Sequence, residues 1–424
     1  MLEALEILAR TEDQERGRTY HDPHWPQWRG PLGTGVSPTA TPPVHWDEDL
    51  NVRWKVEVPG RGASSPVVWG DRVLVTTAIP LYNLAAIGKI DTSEGQPIVT
   101  ATGRMAFRLL ALDTTTGRIV WSRTVTEAIP HESAHTDGSW ASNSPITDGE
   151  RIYVYFGSRG LHCFDLDGNP IWRRSLGDKH TLLGFGEGSS PLLVDGQLFV
   201  IWDHEDDSFL VALDAATGEE LWRAARDEAT SWTTPIFADG MIVTTAAGGV
   251  RAYDPTTGAL NWSSAETPLN SIVSPIAHAG LLFAVSSFEA GTLLALRTSD
   301  AELAWSRSIS TPYVSTPLSM DGMLYVVKDD QGVVYGIDAT TGELHYGPQR
   351  LSGVRGLYAS PVGADGRVYF AGRRGATAVI NAGPDFELLA VNHLDDGFTA
   401  SPAIVGNAIY LRGDRFLYCL AETP

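Results

Sequence analysis

The pattern of apolar and polar positions along this chain is that of short strands. Apolar–polar–apolar runs recur after Ser/Thr-Pro pairs, and most are broken by a two-residue turn. The prolines of those pairs are Pro66, Pro145, Pro191, Pro235, Pro275, Pro317, Pro361 and Pro402. Their spacings are 79, 46, 44, 40, 42, 44 and 41 residues, a repeat with one long first unit. The turns are Asp148-Gly149, Asp195-Gly196, Asp239-Gly240, Asp321-Gly322 and Asp365-Gly366. Asp-Gly between such runs predicts a tight hairpin whose two turn residues both take positive φ. Further along most units comes a second bend with the pattern Asp-x-x-Thr-Gly, at 113–117, 214–218, 254–258 and 338–342. Trp121, Trp222, Trp262 or Tyr346 stands four residues after each glycine, and Trp172 follows Gly168 in the same way. Two hairpins per unit predict a four-stranded antiparallel sheet, the blade of a β-propeller.

The ends of the chain predict how the ring closes. Trp222 and Trp262 each precede the next repeat proline by 13 residues, and Trp305 does so by 12. Trp54 precedes Pro66 by 12, so residues 51–58 read as a fourth strand with no first three before it. Only 22 residues follow Pro402, room for three strands. The expected fold is all-β: an eight-bladed β-propeller of four-stranded antiparallel blades, closed by pairing of strand 51–58 with the C-terminal blade. Such closure removes open sheet edges. Residues 1–24 read as an N-terminal tail, either a short helix or disordered. Residues 25–50 read as a leader packing on the propeller, and 51–422 as the propeller, with an insertion at about 78–106.

Composition excludes some functions. At 43% hydrophobic residues the chain can bury a large core. A net charge of −20 argues against binding the phosphate backbone of nucleic acid or anionic membrane surfaces. No apolar stretch reaches the length of a spanning helix, so membrane insertion is not expected either. The first residues lack the basic start and apolar block of a signal peptide, so the chain as written reads as cytoplasmic or as already stripped of an export signal. A monomer is expected.

The Asp-x-x-Thr-Gly-x-x-x-Trp pattern resembles the repeat of the pyrroloquinoline-quinone (PQQ) propeller superfamily, which includes quinoprotein alcohol dehydrogenases and BamB-like assembly lipoproteins. The leader Trp25-Pro-Gln-Trp-Arg-Gly-Pro31, followed by Gly35-Val-Ser, is similar to that of a bacterial subgroup of PQQ-repeat proteins. The resemblance covers about residues 25–422 and implies a propeller fold and a periplasmic or envelope location. Enzymes of the superfamily use a vicinal cysteine pair beside PQQ, a catalytic Asp and a calcium ion. Here Cys163 and Cys419 stand singly, at a position where other blades place Ala111, Ala212, Ala252 and Gly336. No cofactor is expected, PQQ included, and Ca²⁺ has no assignable cage.

The repeat tryptophans are expected to wedge between neighbouring sheets, each indole N–H bonded to the next blade's backbone. Candidate functional residues therefore come from the loops. In a meander, the loops after each second strand and the crossovers between blades share one face, and the short turns share the other, which reads as inert. The first face gathers the insertion, with Tyr82, Asn83, Lys89, Asp91 and Glu94, and crossover 126–142, with His131, Glu132, His135, Asp137 and Trp140. The acidic run 203–207 reads as a solvated loop. Gly184-x-Gly-x-Gly188 lacks the Lys and following helix of a phosphate loop, and reads as close packing near the axis. His131 and His135 are four apart but in a loop, so no metal site is expected. His135, Trp140, Asp203, His204, Arg226 and Trp232 are expected to line a pocket between blades two and four, under the insertion. The expected function is a non-catalytic binding or scaffold propeller that engages a protein, peptide or glycan on its loop-rich face. The alternative is an enzyme with a funnel site, either a degenerate quinoprotein oxidoreductase or a hydrolase or lyase.

Overall fold

A computed structural model describes residues 24–422, apart from 83–86, 92–94, 96, 102, 265–270 and 287–290. The expected tail at residues 1–24 thus lies almost wholly outside the described residues. The repeat units fold into eight antiparallel four-stranded sheets; in six of them each strand pairs with the one before it in sequence, and in the first the insertion separates the second strand from the third. Their first strands contact one another around a central axis, and the first strand of blade 1 (Val67–Trp69) touches those of blades 2 and 8. The ring is closed by the chain ends: Val52–Glu57 pairs antiparallel with Phe416–Ala421 as the fourth strand of blade 8.

Local chemistry explains the turns. Asp195, Asp239, Asp321 and Asp365 take φ of 47–52°, each followed by a glycine at positive φ. Asp148 departs from the expected geometry. It keeps an ordinary φ, and its Oδ1 accepts the N–H groups of Glu150 (2.8 Å) and Arg151 (2.6 Å), making a longer loop. At Gly149 a side chain would run into Trp69 of blade 1. In the second bend, the Asp113 carboxylate accepts from the Thr115 and Thr116 N–H groups and the Thr116 hydroxyl. Asp254 and Asp338 do the same.

Each repeat tryptophan fills a slot prepared for it. In the third strand the residue opposite is small: Ala111, Cys163, Ala212, Ala252 and Ala295 face Trp121, Trp172, Trp222, Trp262 and Trp305. Cys419 faces Trp54 in the same way. Across the slot the second strand offers an aromatic ring, with centroids 6.0 Å apart for Tyr153–Trp172 and 5.8 Å for both Phe199–Trp222 and Phe283–Trp305. Burial pushes the Cys163 thiol up to about 12 and that of Cys419 to about 11. Both are inert packing groups. Indole N–H groups donate to the next blade's carbonyls: Trp54 to Thr114, Trp172 to Ala215, Trp222 to Pro255 and Trp305 to Ala339, at 2.9–3.2 Å. Trp121 and Trp262 lack such a partner.

The leader fills the axial channel from the short-turn side, so that face is not bare. Trp25 bridges to Val68 of blade 1, and Pro26 O accepts from Thr147 of blade 2. The buried Arg29 guanidinium donates to Pro361 O (2.6 Å), Pro317 O (2.8 Å) and Thr34 O (2.8 Å). Burial lowers its pKa to about 9, which leaves it charged at neutral pH. Val36–Ser37 then adds a parallel strand to the first strand of blade 7.

Candidate functional site

Above the leader the axis opens into a cavity of about 460 Å³ on the loop-rich face. Its floor is a ring of hydroxyls from the residues that precede the repeat prolines: Ser65, Ser144, Ser190, Thr234, Ser274, Thr316, Ser360 and Ser401. A proline holds the residue before it extended. That turns the preceding N–H toward the neighbouring blade, where it meets the next hydroxyl of the ring. Seven such bonds of 2.9–3.2 Å run from Ser65 N–H round to the Ser401 hydroxyl. Trp28 of the leader lies at the same level, with its indole N–H 3.4 Å from Ser401 Oγ.

All eight crossovers contribute to the walls, through residues such as Ala63, His135, Phe185, Trp232, Ile272, Tyr313, Tyr358 and Thr399. Trp232 is fixed by its indole N–H donating to Gly186 O (2.6 Å) and its amide to Ser271 O (2.7 Å). Gly186, at φ 85°, brings the backbone within 3.2 Å of Ala134 from where a Cβ would stand, which accounts for that glycine. His135 is placed by the insertion. Residues 87–91 and 97–101 form a hairpin, and its second strand pairs with Ala134–His135 of the long crossover. At the mouth, Asp137 accepts from Arg373 and from the Tyr358 hydroxyl (3.4 Å), so blades 1 and 7 are tied together across the rim.

Carboxylates staple this face by accepting N–H groups of its loops and crossovers. Glu187 takes the N–H and hydroxyl of Ser158, and Glu132 those of Thr181. Glu205 takes those of Thr230, and Asp329 the N–H groups of Tyr313 (2.7 Å) and Val314 (2.8 Å). Burial pushes the Asp329 carboxyl up to about 7 and also raises that of Glu132, against the pull of the Thr181 hydrogen bonds.

The six residues expected at one pocket are divided by the structure. His135 and Trp232 line the cavity. Trp140 lines a separate narrow crevice with Phe107 and Phe156, its indole N–H bonded to Glu132 O (3.0 Å). Asp203 and Arg226 form a fully buried bidentate pair of 2.7 and 2.9 Å inside the wall, and Arg226 also reaches Thr244 and Tyr253. His204 is buried beside His180 and Asp206, away from the cavity lining. The acidic run is solvated in part: Glu205, Asp206 and Asp207 are exposed, whereas Asp203 is an internal ion pair and His204 is buried. Trp28, Tyr313, Tyr358 and the hydroxyl ring went unnamed as site residues. The Ser/Thr-Pro repeat itself was the signal that could have found the ring.

Comparison with known proteins agrees with this architecture. Residues 36–176, 83–203, 158–287 and 246–383 match the family model described as outer membrane protein assembly factor BamB. The BamB of Burkholderia pseudomallei is 29% identical over 184 residues, 41% of this chain and 44% of that protein. That of Bordetella pertussis is 25% identical over 294 residues, 64% of this chain and 70% of that protein. The chain spans about half the length of the first curated relatives it matches (44%, 46% and 59%). Among solved structures, BamB from Moraxella catarrhalis superposes with a TM-score of 0.55 at 14% identity, covering 81% of this chain and 98% of that one. A europium-containing methanol dehydrogenase superposes at 0.68 with 11% identity, covering 94% and 91%. These two likenesses show the fold alone.

The fold of the dehydrogenase neighbours raises the question of PQQ, and the described lining does not fit it. The quinone carries three carboxylates, whereas the charged lining residues are Asp137 and Glu187, with no Lys or Arg among those described. The two cysteines are buried in blades 2 and 8, remote from the cavity lining. What matches residue by residue is the repeat, over most of the chain: the protein belongs to the family of the outer membrane protein assembly factor BamB.

Proposed function

We propose that this chain is a non-catalytic binding propeller of the cell envelope that holds an extended segment of a partner protein in its funnel. The family match favours the envelope over the cytoplasmic reading of the bare sequence. One observation carries the binding role: the cavity combines the rings of Trp28, Phe185, Trp232, Tyr313 and Tyr358 with a floor of hydroxyls. Aromatic anchors with a few placed polar groups are the chemistry of peptide and ligand capture. Its two carboxylates have structural partners, Asp137 with Arg373 and Glu187 with Ser158, which speaks for a positioned lining over a catalytic one. Strands of outer membrane barrels alternate apolar and polar residues and carry aromatic girdles, a pattern that such a funnel suits.

The test is calorimetric titration of the purified chain with synthetic peptides copied from barrel strands, with oligosaccharides and PQQ as separate arms. Strand peptides are expected to bind, and Trp232→Ala to weaken them about 30-fold, the effect of losing a buried aromatic anchor. Binding of oligosaccharides or PQQ in place of peptide, or peptide affinity unchanged by Trp232→Ala, overturns the reading.

A further inference from the structure

Away from the cavity lining, two loops meet at the rim of blades 2 and 3. The crossover between these blades carries His180. The loop after the second strand of blade 3 carries His204 and Asp206. One ligand atom from each residue lies within 4.8 Å of the other two. His180 Nδ1 is 2.5 Å from Asp206 Oδ2, and His204 Nδ1 is 3.6 Å from the same oxygen.

The two imidazoles are prepared differently. His204 is buried, edge-on to Trp202 with ring centroids 6.1 Å apart. Its Nε2 faces the Asp207 carbonyl at 3.3 Å, so the proton belongs on Nε2. Nδ1 points to the side of His180 and Asp206, where its lone pair accepts the His180 backbone N–H at 3.3 Å, a long bond that an ion would displace. A carbonyl that sets the tautomer and aim of an imidazole in this way is the usual second support of a ligating histidine. His180 and Asp206 are exposed, so they can adjust around an ion held by the fixed His204. His131 adds another imidazole, its ring 5.3 Å from that of His180 and its buried Nε2 without a hydrogen-bond partner.

Two nitrogens and one carboxylate oxygen, open to solvent on one side, suit borderline divalent ions. Calcium and magnesium require mostly oxygen donors and more of them. We propose that His180, His204 and Asp206 form a binding site for a transition-metal ion of the zinc class. Its open position is available to His131, water or a side chain of a partner. An ion there ties the crossover between blades 2 and 3 to the loop of blade 3, beside the staples that shape the funnel wall.

The experiment uses the full chain without an affinity tag, titrated with Zn²⁺ by calorimetry and with Co²⁺ by visible absorption. One equivalent of Zn²⁺ is expected to bind and raise the melting temperature, and Ca²⁺ to do neither. His180→Ala and Asp206→Asn change exposed side chains and are expected to fold as the parent does. Each is expected to weaken Zn²⁺ at least tenfold, and the double variant to abolish the Co²⁺ bands. Absence of stoichiometric binding, equal binding of Ca²⁺, or affinity retained in the double variant overturns the proposal.

Discussion

Single residues hold the propeller together at its axis. Seven of the eight Ser or Thr residues before the repeat prolines, all but Ser65, accept the N–H of their counterpart in the preceding blade. Removing one hydroxyl therefore leaves a buried donor unpaired, at a cost of about 1–3 kcal/mol. Ser190→Ala is expected to destabilise by that amount, because it orphans the Ser144 N–H. Ser190→Thr is expected to be close to neutral, since Thr234 and Thr316 make the same bond in their blades. Denaturant melts of the two variants decide it, and equal losses would remove the hydroxyl from the account. Asp329 acts through its charge. Its folded pKa of about 7 lies above the ordinary value, so the folded protein keeps a proton that the unfolded chain has released. Its contribution is greatest below the unfolded pKa and falls as pH rises toward 7, by at most about 1.4 kcal/mol per unit. Asp329→Asn cannot ionise yet keeps an oxygen for the Tyr313 and Val314 N–H groups. The variant is expected to gain on the parent steadily between about pH 4 and 7. Parallel stability curves over that range would refute the assignment.

At the scale of elements, the sequence was most legible where one chemical requirement recurs in every blade. The alternating runs, the turn residues and the small-opposite-Trp pairing all repeat, so strand order and ring closure follow from spacing. Every blade also has a register shift between its third and fourth strands, beside the tryptophan slot. These bulges bend and twist the outermost strand and blunt it as a template for foreign pairing. The slot of blade 7 was not legible, because its fourth strand places Ala390 opposite Val379 where other blades place an aromatic residue. Trp46 of the leader makes up the difference. It is buried, stacks on Tyr369 with centroids 6.3 Å apart, and is held by Asn392 of that fourth strand. Nothing local marks this role, since the donor and the slot lie more than three hundred residues apart. The wall charges were opaque for a related reason: Asp203 and Arg226 neutralise each other inside the protein, and burial is not written in composition. Trp46→Ala is expected to destabilise by about 3–5 kcal/mol, as for a blade tryptophan such as Trp222. A loss below about 1 kcal/mol in a denaturant melt would show that the slot is filled without it.

Across the whole molecule, the funnel exists because the ring is closed and one end of its channel is plugged. Both tasks fall to the same stretch of chain. The leader fills the axis beneath the hydroxyl ring, supplies Trp46 to blade 7, and continues into Val52–Glu57 to complete blade 8. Trp54, nearly buried, then packs over Gly117 of blade 1 and donates to Thr114 O, so the last blade is sealed against the first. Arg412 spans the same seam, donating to the Ser64 hydroxyl and the Thr76 carbonyl. A chain truncated before Pro59 keeps eight inner strands but loses the plug, the seal and the cover over strand Phe416–Ala421. That open edge pairs readily with a second copy. The truncated chain is expected to leave the monomer fraction as dimers or aggregate, and a peptide spanning residues 24–58 added during refolding is expected to recover monomer. Light scattering with size exclusion reads both. A truncated chain that is monomeric and melts with the parent would mean that the ring closes without the pairing of its ends.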